Sequence, residues 1–151
     1  LPICDIEDSV RGSVIEIGAF SNIDSFVKIK PAGGSGNIKL GKRVHINSCC
    51  VLYSGNGILI GNNVLIAANC TFAPVNHEYK NTNLKIIDQG HAESKGGIVI
   101  EDNVWIGANC VLLDGSHIGE GSVIAAGSIV RGRIKGKSLY GGNPIEFIKN
   151  I

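Results

Sequence analysis

The sequence predicts an all-β solenoid built from six-residue steps. Three observations carry that expectation: a period of six in the large aliphatics, a matching ladder of small residues, and a composition rich in glycine and poor in aromatics. The clearest register runs Ile100, Ile106, Leu112, Ile118, Ile124, Val130. Four residues after each stands a small or medium side chain: Val104, Cys110, Ser116, Ser122, Ser128, Ile134. Upstream the pattern returns as Ile17, Ile23, Ile29, then Leu40, Ile46, Leu52, then Ile60, Ile66, Phe72. Helical faces recur near 3.6 residues and strand faces at 2, so a period of six fits neither element alone. It fits a coil with three flat sides, each sending one large aliphatic inward and turning on a small residue. Three sides make a coil of about eighteen residues, within the range of solenoid repeats. A single coil cannot bury its own aliphatics, so several must stack. About five are expected.

Composition agrees. The chain has 151 residues, 21 of them glycine, with 5% aromatic residues and no methionine. A formal charge of +1 offers no dense basic surface for a nucleic acid. No run approaches the ~18 apolar residues of a membrane span. The first dozen residues hold Asp5, Glu7, Asp8 and Arg11 and do not read as a signal peptide. Five cysteines, an odd number, give no disulfide framework and suggest a reduced, cytoplasmic setting. The triplet Asn69-Cys70-Thr71 is read as chance.

The repeat breaks at residues 73–97, APVNHEYKNTNLKIIDQGHAESKGG. A long excursion in a regular solenoid usually carries function. It also holds two of the four histidines, His77 and His91. The shorter interruption PAGGSGN, 31–37, reads as a turn extension with a mobile tip. Beyond Val130 the chain becomes basic, through Arg131, Arg133, Lys135 and Lys137. Asn143-Pro144 then gives a helix-start signal, so a short helix or coil over 138–151 is expected to cap the solenoid.

Four stretches occur in order: NHEY, DQGH, VWIG and GGNP. With the hexads they resemble the hexapeptide-repeat acyltransferases, and within them the galactoside, maltose and surface-polysaccharide O-acetyltransferases. The resemblance covers nearly the whole chain. It implies a left-handed parallel β-helix, a single domain over 1–151, and a homotrimer with active sites between subunits. It also implies acetyl-CoA as co-substrate and a sugar hydroxyl as acceptor, in polysaccharide or lipopolysaccharide biosynthesis. Within it, His77 is the expected general base, since an imidazole titrates where an alcohol must be activated. Asp88, Glu78 or a backbone carbonyl would orient it. Asn47 matches an acceptor-binding asparagine, or else is a corner residue. His91 would line the same acceptor site or pack the loop base. Trp105 is expected to point outward at the acetyl-CoA cleft, with Ala108 and Ala126 beside the pantetheine arm. Arg131 and Arg133, with Lys135 and Lys137, would meet the nucleotide phosphates. The helical extension that carries an acceptor-binding aspartate in the galactoside enzymes has no counterpart here, so the acceptor pocket must differ.

Other signals are set aside. Cys50, Cys70 and Cys110 fall on the small inward position, which packing explains, so no cysteine nucleophile is expected. His45 and His117 fall on outward positions. Gly36 to Lys42 has the spacing of a phosphate loop, but Arg43 stands where Ser or Thr is required. The histidines are too widely spread for a three-ligand zinc site, so no metal is expected. The alternatives to an O-acetyltransferase are an N-acetyltransferase of an amino sugar, an antibiotic acetyltransferase, a carbonic-anhydrase-like metalloprotein and a non-catalytic scaffold.

Overall fold

The computed structural model describes residues 3–9 and 11–151. Its strands form three sheets, of six, six and seven strands, parallel throughout except for the last strand of the third. The first face stacks Asp5–Ile6, Lys28–Lys30, Val51–Tyr53, Thr71–Ala73, Val111–Leu113 and Ile129–Val130. The second stacks Ile15–Ile17, Ile38–Leu40, Ile58–Ile60, Ile98–Ile100, Ser116–Ile118 and Arg133–Ile134. The third stacks Asn22–Ile23, His45–Ile46, Leu65–Ile66, Trp105–Ile106, Val123–Ile124 and Ser138–Gly141. The chain visits the faces in turn, and the fold is the left-handed parallel β-helix.

The hexad register is the core. Every large aliphatic of the pattern from Ile29 to Val130 is buried, as is Phe72. Ile17 remains 42% exposed and Ile23 is half-buried, their strands lying at the ends of their sheets among the described residues. The small position has a second duty. The thiols of Cys50, Cys70 and Cys110 donate to the carbonyls of Ala67, Gly107 and Ala125 at 3.2, 3.2 and 3.3 Å. Ser122 does the same toward the Lys135 carbonyl at 2.9 Å. A small side chain with a weak donor thus fills the corner and ties it to the coil above.

Two corners turn through the left-handed region. Between the second and third faces Arg43, Asn63, Asn103, Gly121 and Lys137 have φ between 53° and 70°. Between the third and first faces Phe26, Cys49, Asn69, Asn109 and Gly127 have φ between 58° and 75°. Asparagine and glycine are favoured there because the conformation penalises larger side chains by about 1–2 kcal/mol. This explains the recurring Asn one residue before the small inward position.

Three details sharpen the expectations. The stack has six levels, close to the roughly five expected, and Asp5–Ile6 begins the first face without a hexad pattern. Its anchor is ionic: Lys28 lies 3.1 Å from Asp5 and 3.4 Å from Glu7, and Lys30 lies 3.2 Å from Glu7. Segment 31–37 is the expected turn extension, and it packs on the coil above. Gly36 N–H donates to the Gly55 carbonyl at 2.9 Å, and a Cβ on Gly34 would sit 2.3 Å from that same oxygen. The C-terminal cap is a strand, not a helix. Glu146–Asn150 pairs antiparallel with Ser138–Gly141, and Tyr140 meets Phe147 edge to face at 5.5 Å. The last coil leaves an open edge that a strand can cover. A helix of one or two turns would be marginal by itself.

Candidate active site

The corner between the first and second faces is the irregular one. In the two upper coils two residues suffice, Asp114-Gly115 and Arg131-Gly132. Below them the same corner holds 54–57 and 31–37, and between these and the upper coils the chain leaves as a loop over 74–97. The strand Thr71–Ala73 takes in the first residue of the expected break.

The loop is folded back on itself. His77 and His91 form an antiparallel bridge. It is flanked by Glu78 N–H donating to the Gly90 carbonyl at 3.0 Å and Ala92 N–H donating to the Asn76 carbonyl at 2.8 Å. Beyond the bridge, the Gln89 carboxamide pins the tip. Its Nε2 donates to the Asn81 and Leu84 carbonyls, and its Oε1 accepts from Asn81 N–H. A 3-10 turn, Ile86–Asp88, completes the return. The two imidazoles end side by side, with ring centroids 4.9 Å apart and a 41° tilt.

Asp114 fixes the root of the loop, and sequence reasoning missed it. Its carboxylate is buried, accepts from Lys95 and Gly97 N–H at 2.8 Å each, and accepts from the Asn56 amide at 3.2 Å. The Asp-Gly pair signals a turn. Its partners at 95–97 and 56 lie outside any local pattern. Glu78, an expected orienter of His77, is engaged by its own backbone instead. The carboxylate accepts from Tyr79 and Lys80 N–H at 2.9 and 3.1 Å, and these bonds hold its carboxyl below the usual glutamate range.

A cavity of about 700 Å³ opens beside the loop. His77, Asn76, Ser94, Lys95, Asp114 and Arg131 are among its walls. Both histidines are exposed to it or to solvent. The other expected residues lie elsewhere. Arg133 projects from the second face beside His117, which pairs with Glu101 at 2.7 Å. These three, with Lys135 and Tyr140, line a second cavity of about 390 Å³. Trp105 projects from the third face, 51% exposed, level with Leu65 below and Val123 above. Ala108 and Ala126 stack at the corner between the third and first faces, where Gly127 N–H donates to the Ala108 carbonyl at 2.8 Å. Asn47 occupies that corner two coils lower and donates its amide to the Ile66 carbonyl at 3.0 Å.

One chain therefore gathers His77, His91 and Arg131 at one corner, and Asn47, Ala108 and Ala126 at another. A full face of the prism separates the two groups.

Residues 97–132 match the family described as bacterial transferase hexapeptide (six repeats). A Staphylococcus aureus protein named as a candidate acetyltransferase is 42% identical over 115 residues, 76% of this chain. The chain spans 56% of that relative's length. A Mycobacterium tuberculosis protein, likewise named as a candidate acetyltransferase, is 32% identical over 136 residues, covering 90% of this chain and 44% of its own. Among solved structures, the N-acyltransferase AntD from Bacillus cereus, in complex with dTDP and 3-hydroxybutyryl-CoA, superimposes with a TM-score of 0.76 at 21% identity. That match covers 99% of this chain and 82% of AntD. A maltose O-acetyltransferase from Clostridium difficile gives a TM-score of 0.61 at 26% identity, covering 93% of this chain and 70% of its own. Repeat, fold and relatives agree: the chain carries the bacterial transferase hexapeptide repeat over residues 97–132 and is similar to proteins named as acetyltransferases.

Proposed function

We propose that this protein transfers the acetyl group of acetyl-CoA to a sugar hydroxyl, with His77 as general base. The observation that carries the reading is the loop architecture. It presents an exposed imidazole at the wall of a 700 Å³ cavity, at the longest departure from the repeat among the described residues. In the proposed step His77 accepts the proton of the acceptor hydroxyl. The oxygen attacks the thioester carbonyl carbon, and the tetrahedral oxyanion collapses. The carbon–sulfur bond breaks, and coenzyme A leaves as a thiolate that takes the proton from the imidazolium. Transfer is direct, with no acyl-enzyme. The three inward cysteines fit that order, since Cys50, Cys70 and Cys110 are all buried in the corner stack and away from the His77 cavity.

Acetyl-CoA is supported by the complex of AntD with an acyl-CoA. A homotrimer is supported by the separation of the expected residues. Three parallel prisms would set the Ala108–Ala126 corner of one subunit against the His77 corner of the next, completing a site that one chain leaves divided. Trp105 and Arg133 would then belong to the cofactor cleft and Asn47 to the acceptor side. We place the reaction in polysaccharide or lipopolysaccharide biosynthesis in the cytoplasm, where acetyl-CoA is made and free thiols persist. An amine acceptor is the second reading, favoured by the fold match to an N-acyltransferase.

The test is acetyl-CoA turnover, read as free thiol, for wild type and His77→Ala against methyl glycosides and amino sugars. Removal of a general base costs about 10²–10⁴-fold. Acceptor-dependent release that falls by that factor, with the assembly unchanged in sedimentation, supports the reading. Equal rates in the two proteins remove His77 as the base. The acceptor that responds decides between hydroxyl and amine.

A further inference from the structure

The orienting partner of His77 is not one of the acids that its sequence neighbourhood offers. Glu78 is turned into its own backbone turn by two N–H donors. Asp88 sits in the exposed 3-10 segment beyond the Gln89 clamp. What does reach the imidazole is His91. The backbone bonds on either side of the bridge, Glu78 to Gly90 and Ala92 to Asn76, fix the two Cα positions opposite each other. Directly opposed cross-strand side chains interact, and rings at 4.5–7 Å make favourable tilted contacts. The observed 4.9 Å and 41° fall within that range.

Position 91 is fourteen residues from position 77, and the intervening chain is spent on returning to it. Gly90, at φ 77°, turns the chain into the bridge. Gln89 closes the tip upon itself with three hydrogen bonds. Asp114 holds the outgoing end at Lys95 and Gly97. An exposed histidine otherwise samples several rotamers. A flat neighbour restricts that freedom without consuming either ring nitrogen in a hydrogen bond.

We propose that His91 is a positioning residue: its ring packs against the His77 imidazole and holds it in the rotamer that faces the cavity. This rests on the general-base reading above and assigns that base its partner. The role needs a flat ring and no proton. It separates His91 from acceptor binding, the other role its place in the loop suggests.

The experiment compares His91→Ala, His91→Phe and His77→Ala in the assembled protein, with free thiol read from acetyl-CoA and the best glycoside acceptor. Misplacing a reacting group by about 1 Å costs up to about 100-fold. His91→Ala is expected to lower kcat about tenfold or more, with KM for acceptor and acetyl-CoA unchanged. His91→Phe should return most of that loss. A loss in the alanine variant that phenylalanine does not rescue overturns the proposal, as does a loss expressed in the acceptor KM. If His77→Ala is inactive while His91→Ala runs at the wild-type rate, this proposal falls and the general base stands. If His77→Ala is fully active, both fall. A readout independent of any acceptor is the χ1 coupling of His77 by NMR. One rotamer is expected in wild type and His91→Phe, and averaging in His91→Ala. Averaging already in the wild type overturns the proposal.

Discussion

The corner between the third and first faces and the corner between the first and second faces are built from the same coils, yet obey different rules. The first is strictly periodic. A left-handed residue, then a small buried one, recurs as Cys49-Cys50, Asn69-Cys70, Asn109-Cys110 and Gly127-Ser128. The second takes two residues in the upper coils, four at 54–57, seven at 31–37 and a whole loop at 74–97. The periodic corner is held by contacts between equivalent residues of adjacent coils. The irregular corner is held by contacts that occur once, Asp114 with the 95–97 backbone and His77 with His91. Repetition supplies stability, and the exception to it supplies the candidate site.

Breaking the shared support should affect both corners. Phe72 is fully buried in the strand from which the loop departs, pairing with Leu52 and Leu112. Phe72→Ala should cost about 3–5 kcal/mol, a marked fall in the urea or thermal midpoint. Activity should fall with the folded fraction. A midpoint within error of wild type would show that the coils above and below tolerate a gap at that level.

Asp114→Ala should separate the two corners. It strands the buried Gly97 N–H and releases Lys95, a loss of about 1–3 kcal/mol. The effect should be confined to the loop, seen as faster hydrogen exchange and protease cleavage over 74–97 with unchanged exchange in the coils. Asp114→Asn, which keeps an acceptor oxygen, should lie between the two. Uniform loosening of the whole solenoid would contradict a local role.

The smallest effect lies on the second face, at a surface pair outside both corners. His117 and the Glu120 N–H hold the Glu101 carboxyl below its usual value. A carboxyl depressed on folding contributes stability above its unfolded pKa, and that contribution is lost as pH falls through the folded value. Wild type should therefore lose this increment in the acid range, below about pH 4.5. Glu101→Gln should flatten that part of the stability profile and leave neutral pH little changed, because the pair is partly exposed and screened. An unchanged acid limb would assign the sensitivity to Asp24 or Asp102, whose carboxyls are also depressed by hydrogen bonds.

Much of the fold was legible from the hexads, because each large aliphatic stacks on its equivalents one coil above and below within a single core. A local pattern then carries tertiary information. The buried Cys50, Cys70 and Cys110 and the outward Trp105 follow from position in the hexad alone. Segment 31–37 was less legible, since its packing on Gly55 depends on the coil above. The C-terminal strand was illegible for a similar reason. The Asn143-Pro144 cue is local, while the open edge at Ser138–Gly141 that overrides it belongs to the last coil.

The candidate site divides in the same way. The sequence by itself determined an all-β solenoid of stacked coils, its inward residues, the place where the repeat breaks, and the two histidines within the break. Only the tertiary structure decided that those histidines stand 4.9 Å apart, that Glu78 is taken up by its own backbone, and that Asp114 anchors the loop. It also decided that Asn47, Ala108 and Ala126 lie across a face from His77. The physical reason is range: a six-residue period encodes contacts between neighbouring coils, whereas a loop closes through single, unrepeated hydrogen bonds between residues far apart in the chain.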